Sequence, residues 1–384
     1  MAAAHDVVVI GLGVMGAAAL HACARRGLRV AGVERFDVPH SLGSSHGGSR
    51  VIRKAYYEDP RYVPLLEESW EAWLALERRS GEPLLLQTGG LHFGPADSPD
   101  LLAVQAAARN HGLAHELFDA TALSRRFPQF HLERQDLALI ERDAGVLLPE
   151  RCVASFVSAA LAEGAQIHAR TRLRQMELGD QAVTLHLEGP TGPARLVASQ
   201  VILALGPWWP EAPLPCPLPV TVTRQVQLWL RPRDPAAYLP ARFPIFMRYA
   251  GRAAPAASDP LVYGLPEATF PGVKLAVHTP GDPTAADELD RELRQGDLEP
   301  VLAFMRRHLP DVTSDVLGAR ACLYTMSPDG HFGLGRHPES PRVLCALGFS
   351  GHGFKLAPAV GRILADLATD AGPVPELFAL DRFS

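Results

Sequence analysis

Among the 384 residues, none constrain the fold more than the first 35. Asp6 to Ile10 is a short apolar run of the kind that forms a buried strand. It breaks into Gly11-Leu12-Gly13-Val14-Met15-Gly16, a G-x-G-x-x-G loop, and continues into Ala17 to Arg26, rich in helix formers and closed by Gly27. A second strand, Arg29 to Val33, ends at Glu34. Strand, glycine loop, helix, strand and acid in this order are the βαβ dinucleotide fingerprint in its proper setting. Gly11 permits the tight turn, Gly13 lets the backbone approach a pyrophosphate, and Gly16 lets helix and strand pack closely. The helix N-terminus, with Met15 in its first turn, offers unpaired N–H groups and a partial positive charge to phosphates. Glu34 suits a ribose diol. The motif alone does not choose the dinucleotide. Arg35 beside Glu34 could meet a 2′-phosphate, but the acid repels one, which favours NAD or FAD over NADP.

The remaining composition narrows the function classes. Net charge is −5 and the chain is 47% hydrophobic, so neither nucleic acid nor an anionic membrane is expected as the main partner. Five cysteines, Cys23, Cys152, Cys216, Cys322 and Cys345, are scattered without a C-x-x-C pair. Neither a disulfide framework nor a metal site is expected, and a reducing compartment fits. Met1 to Ala4 shows no basic segment leading into an apolar one, so no signal peptide is expected. No apolar run reaches transmembrane length, and the terminal Asp381-Arg382-Phe383-Ser384 is not a peroxisomal tripeptide. A cytoplasmic location is the expectation.

Periodicity predicts helices over 61–80, 98–118, 150–163, 297–309 and 357–370. Strands are expected at 84–93 around Gly89-Gly90, at 143–147, 165–170, 182–187 and 195–204, then at 225–230, 261–265 and 273–278, and finally at 343–348. The 34 prolines cluster at 207–244 and 254–283 and read as rigid turns. The layout is α/β, α+β overall. A doubly wound domain would take 1–84, 141–222 and 318–384, and a substrate domain carrying an antiparallel sheet would take 85–140 and 223–317. Ligands of such folds sit at the carboxyl ends of the parallel strands, near the domain interface.

Four stretches outside the fingerprint carry candidate chemistry. Ser44-Ser45-His46-Gly47-Gly48-Ser49-Arg50, with Arg53 close after it, sets small residues around cations; it suits close approach to a planar ligand or, equally, a solvated loop. Lys274, Ala276 and His278 alternate along one strand face, either as a titratable pair facing a cofactor or as a wet surface. Gly348 to Lys355 is a second glycine-rich loop feeding a helix, able to stabilise an anion or to act as a plain βα turn; Gly206 ends a further strand. Cys322, between apolar residues, reads by itself as a small buried hydrophobe.

Together these stretches resemble a family. Pro39-His40-Ser41, Gly43-Ser44-Ser45-His46-Gly47, Ser49 to Tyr56 and Glu58-Asp59 are similar to the corresponding run of the monomeric sarcosine oxidases, most of all their sarcosine/L-pipecolate oxidase branch. Cys322-Leu323-Tyr324-Thr325, with Asp329 and Phe332, and Gly348 to Pro358 match further family segments. The resemblance runs from residue 6 to about 370 and implies FAD rather than NAD, in a two-domain architecture like that of D-amino-acid oxidase and glutathione reductase.

It also implies roles for particular residues. Cys322 would bond the flavin 8α-carbon. Arg53 and Lys355 would grip a substrate carboxylate, and Lys274 would sit over the flavin N5 edge and promote reaction with oxygen. Arg50 and His46 would lie against the flavin ring. Tyr263 and His278 would line the substrate cavity with Met247 and Tyr324 as neighbours. Gly11, Gly13, Met15, Gly16, Glu34, Arg35, Ser44, Ser45, Gly206, Gly348, Gly351, Gly353, Phe354 and Lys355 would complete the cofactor site. Where the bacterial enzymes have a second histidine before the one at His46, this chain has Ser45. The implied activity is oxidation of a small secondary amino acid (sarcosine, an N-methyl amino acid or L-pipecolate) by O2 to an imine and H2O2, by a monomer. The alternatives left open are a dehydrogenase of the same fold using another acceptor, an NAD-linked dehydrogenase, and a non-catalytic flavoprotein.

Overall fold

The structure, a computed structural model, describes residues 4–252 and 259–383; Met1 to Ala3, on which part of the leader expectation falls, and 254–258 of the proline-rich stretch lie outside them. Two large sheets face each other. The first is built on parallel strands. His5–Ile10 lies between Val30–Val33 and Gly192–Leu203; Gln166–His168 extends it beyond Val30–Val33, and Ser340–Leu347 pairs with the far half of Gly192–Leu203. Arg172–Leu178, Val183–Gly189 and Gly333–His337 add antiparallel strands. The chain leaves His5–Ile10 in one direction first and returns on its other side later, so the switch point of this sheet lies at Gly11, where such folds bind ligands.

Alternation along His5–Ile10 serves two layers. Val7 and Val9 pack on helices Val14–Ala24, Val63–Ser80, Pro149–Ala162 and Ala357–Ala368. Val8 and Ile10 face the opposite cluster with Leu185, Trp209 and Leu218. Helix Val14–Ala24 is buried all round except at Ala22, which explains why small alanines dominate it. None of the described helices is long and apolar enough to cross a membrane.

The second sheet covers the carboxyl ends of the first. Its order is Val312–Met326, Thr221–Pro232, Val273–Val277, Val262–Leu265, Ile245–Arg248, Gly90–Pro95, Asp136–Glu141, His115–Asp119. All neighbours are antiparallel except Ile245–Arg248 beside Gly90–Pro95. One face holds Leu228, Leu230, Phe246, Val273 and Leu275 against helix Gln295–His308. The other face looks toward the first sheet. A three-stranded sheet, Arg50–Ile52, Gly145–Leu147 and Leu85–Gln87, joins the two layers.

Two expectations change. The helix expected over 98–118 stops at Asn110. Gly112 adopts φ +63° and Leu113 N–H turns back to Ala108 O, so the chain reverses into the edge strand His115–Asp119. The segments 84–87 and 90–95 are not a hairpin, because they belong to different sheets. Strand Val312–Met326 runs unbroken through position 318.

Candidate active site

A channel open to solvent runs along the carboxyl ends of the parallel strands. At one end stand Glu34 and Arg35, in the middle Gly11, Gly13, Met15, Ser44, Ser45 and Gly206, and at the other end Arg50, Tyr324, Gly348, Gly351, Gly353 and Phe354. Glu34 accepts from Leu12 N–H at 2.8 Å and Phe36 N–H at 3.0 Å, which fixes its carboxylate at the channel wall. Ser45 Oγ accepts from Val14 N–H at 3.1 Å. Beyond that one bond, the N-cap Gly13 offers no side chain and no acid sits in the first turn of helix Val14–Ala24, so its positive end can receive an anion. Gly11 has φ +88°, and a Cβ there would lie 2.5 Å from Ala204 O. Gly16 does not line the channel; a Cβ on it would lie 1.8 Å from Gly11 O, so it holds the helix against the turn.

A smaller cavity of about 570 Å³ adjoins the far end and shares Arg50, Tyr324, Gly351 and Phe354 with the channel. Arg53, Lys355, Tyr263, Met247, His278 and Tyr324 all line it. The register of the covering sheet explains this convergence. Residues directly opposite one another share a face. Cys322 opposes Gln225, Gln227 opposes Ala276, Trp229 opposes Lys274, Ala276 opposes Tyr263, and Tyr263 opposes Met247. One continuous polar face therefore looks inward. Gly351, at φ +77°, leaves room for Tyr324: a Cβ would lie 2.4 Å from its ring.

The two cations of the cavity are held differently. Arg53 is 1% exposed. Its Nη2 donates to both oxygens of Glu58, at 2.6 and 2.8 Å, and its Nη1 donates to Ala55 O at 2.8 Å. Burial pushes Glu58 up, but Arg53, with His352 and Lys355, pulls it down to about 2. Lys355 Nζ donates to His352 O at 2.8 Å. Burial and then Arg53 lower its pKa, Glu58 and Glu141 oppose them, and it falls to about 7. Burial brings His278 down to about 4, with Glu58 opposing and Lys355 and Arg53 adding, so its ring is neutral at physiological pH. Tyr324 Oη lies 3.4 Å from His278 Nδ1.

Three residues expected at the flavin lie just behind the cavity walls. Lys274 Nζ donates to Gly47 O at 2.9 Å and Ser49 O at 2.7 Å and sits 5.2 Å from the centre of the Trp229 ring. Burial and the nearby Arg50 push its pKa well below the usual lysine range. Cys322 Sγ is 3.5 Å from Arg50 Nη2. His46 is buried and neutral, driven to about 3 by burial, Arg50 and Lys274, and its Nε2 has no partner. Arg50 itself lines both cavities; its Nη2 also donates to Ser44 O and its Nη1 to Ser49 O, each at 3.0 Å.

Sequence reasoning gave no role to Glu58, Tyr56, Gln227, Glu150 or His352. Glu150, in the first turn of helix Pro149–Ala162, accepts from Gly47 N–H at 2.8 Å and Gly48 N–H at 3.1 Å. It thereby fixes the loop that carries Arg50. The glycine pair was a visible signal; the acid a hundred residues away was not.

The residues present fit a flavin dinucleotide. The channel is lined from Glu34 and Arg35 through Gly11 and Gly13 to Gly351 and Phe354, the helix N-terminus is uncapped by acid, and His46 Nε2, buried near Arg50, has no partner among the described residues. Comparison with known proteins agrees. Residues 6–367 match the family described as FAD dependent oxidoreductase. The monomeric sarcosine oxidase of Streptomyces avermitilis is 37% identical, over 97% of each chain. The N-methyl-L-tryptophan oxidase of Salmonella arizonae is 33% identical, over 99% of each. The open form of NikD, an unusual amino acid oxidase, superposes with a TM-score of 0.82 at 25% identity, covering 98% of this chain and 96% of that one. A glycine cradle for FAD, a second sheet closing over its far end and full-length kinship to these oxidases converge on one assignment: the chain belongs to the FAD-dependent oxidoreductase family, among its sarcosine oxidases.

Proposed function

We propose that the protein oxidises the C–N bond of a small secondary amino acid, of the sarcosine, N-methyl amino acid or L-pipecolate type, to an imine, with O2 reduced to H2O2. The observation that carries this reading is the smaller cavity. Two buried cations, Arg53 and Lys355, line a chamber that opens on the channel, and one of them already grips a carboxylate, that of Glu58. A chamber built this way suits an anion with an apolar body, with Met247 and Tyr263 as wall.

FAD held by Gly11, Gly13, Ser45 and the N-terminus of helix Val14–Ala24 would supply the redox chemistry, two-electron oxidation of the C–N bond and reduction of O2. This chain's residues do the rest. Arg53 exchanges Glu58 for the substrate carboxylate, and Lys355 adds a second charge-assisted contact, which together fix the reacting carbon. The amine must be neutral to be oxidised. Cations nearby disfavour the ammonium form, and the neutral His278 ring offers an acceptor for the amine proton. Arg50 and His46 would border the flavin ring, and Lys274, in its protonated form, would place positive charge where O2 gathers electrons. Cys322 is the proposed covalent anchor through the 8α-carbon; its support is the position beside Arg50 and Ser44 at the channel end.

The test is H2O2 release, with matching O2 uptake, across a panel of secondary amino acids under air. Turnover with an artificial acceptor but no H2O2 would replace the oxidase reading by a dehydrogenase one. Turnover of primary amines alone would overturn the substrate class.

A further inference from the structure

From Lys355 runs a chain of polar groups to which the reaction above gives no part, although one of them, His352, also lines the cavity. Lys355 Nζ donates to Tyr56 Oη at 3.4 Å as well as to His352 O. Tyr56 Oη lies 2.7 Å from His352 Nδ1, and His352 Nε2 lies 2.9 Å from Gly330 O. The directions of these bonds follow from valence. A carbonyl oxygen only accepts, so Nε2 carries the ring proton. Burial keeps the ring neutral, at about 3, so Nδ1 is a lone pair and Tyr56 O–H donates to it. The lone pairs of the tyrosine oxygen are then turned toward Lys355. The buried Tyr56 ring holds the Arg53 guanidinium 4.2 Å and Lys355 Nζ 5.2 Å from its centre.

We propose that Tyr56 and His352 are positioning residues that hold Lys355 as an ammonium aimed into the cavity, and so set the upper pH limit for binding the substrate carboxylate. The proposal rests on the reading that Lys355 takes that carboxylate. A hydroxyl whose proton is committed to His352 can only accept from Lys355, and acceptance favours the charged amine. Without His352 the same hydroxyl is free to rotate, and the preference is lost.

The groups facing Lys355 are Arg53, Glu58 and Tyr56 from the segment after Arg50–Ile52, Glu141 from the covering sheet, His278 across the cavity and His352 on its own loop. Glu58 sits at about 2, His278 at about 4 and His352 at about 3, while burial holds Tyr56 well above its usual range. The limb near neutrality belongs to Lys355. The sign follows: the ammonium is present below the Lys355 pKa and lost above it, so carboxylate affinity falls as pH rises through that value.

The experiment titrates the flavin-loaded enzyme with acetate, a carboxylate with no amine of its own, following flavin absorbance from about pH 5 to about pH 9. Tyr56→Phe keeps the ring and removes the acceptor. It should move the alkaline limb down by about one pH unit while leaving affinity on the acid side within about twofold. His352→Leu should move it likewise, and the double variant should move it no further. His352→Gln, which offers one donor to Gly330 O and one acceptor to Tyr56, should restore the limb. A limb that stays in place in Tyr56→Phe, or affinity lost equally at every pH, overturns the proposal even if the His352 variants fail to fold. Lys355→Met separates the two readings. If it loses the limb while Tyr56→Phe does not move it, the pair has no such role. If it binds acetate as the parent does, the carboxylate clamp itself falls, and the proposal with it.

Discussion

Replacing Glu58 by glutamine tests whether this enzyme carries its own competitor for the substrate. Both Glu58 oxygens are bonded to Arg53 Nη2, so an incoming carboxylate must displace them. The Glu58 pKa falls from 4.5 to about 2, which corresponds to about 3 kcal/mol favouring the ionised, Arg-bound form. An external carboxylate works against part of that preference. Glu58→Gln keeps the shape and removes the charge, so acetate should bind more tightly, on the order of tenfold and up to about a hundredfold. The titration belongs near pH 6, because Glu58 also raises the Lys355 pKa and its removal shifts the Lys355 limb downward. The same change leaves a buried guanidinium facing a neutral amide, so without ligand the variant should unfold more easily, by about 1–3 kcal/mol. Saturating acetate should restore its Tm by more than it raises that of the parent. Unchanged or weaker acetate binding, with no recovery of Tm, would refute the exchange of one carboxylate for another at Arg53.

Further outcomes follow from the same geometry. Lys274→Met should leave anaerobic flavin reduction by substrate largely intact and slow reoxidation by O2; stopped-flow rates that fall equally in both half-reactions would remove Lys274 from the oxygen step. Cys322→Ser should let the yellow colour wash out of acid-precipitated protein in which the parent retains it; colour lost from both would end the covalent assignment. Glu150→Ala removes two charge-assisted bonds to Gly47 and Gly48 and should cost about 2–4 kcal/mol in urea unfolding, with faster flavin release; a variant as stable as the parent would mean the loop holds itself.

What was legible in the sequence and what was not divides along physical lines. The fingerprint from Asp6 to Glu34 was readable because every signal in it is local: the turn, the helix and the acid lie within 35 residues. Arg53, His278 and Lys355 stood out in local stretches, but their shared role, and any place for Tyr263 and Tyr324, were reachable only through family resemblance. Alternation at 273–278 left a wet face and a cofactor face equally open. The structure turns the polar side inward, with Gln225, Gln227 and Lys274 all buried, and gives the apolar side to helix Gln295–His308. Periodicity reports that two faces differ, not which one meets water. The overlong helix at 98–118 shows the reverse case: Gly112 was a visible stop signal, outweighed by the Ala/Leu run before it. Glu58 and His352 were in plain sight, but their roles depend on partners at Arg53 and Tyr56 that only folding reveals.

Strand Val312–Met326 has a mechanical consequence. It is the outermost strand of the covering sheet, yet it carries Leu323, Tyr324 and Thr325 into the wall of a channel that Ile10, Val33 and Ala346 of the parallel strands also line. A cofactor seated there would be gripped from both layers at once, like a keystone between two leaves of an arch, and drawing the leaves apart would break its contacts with one of them.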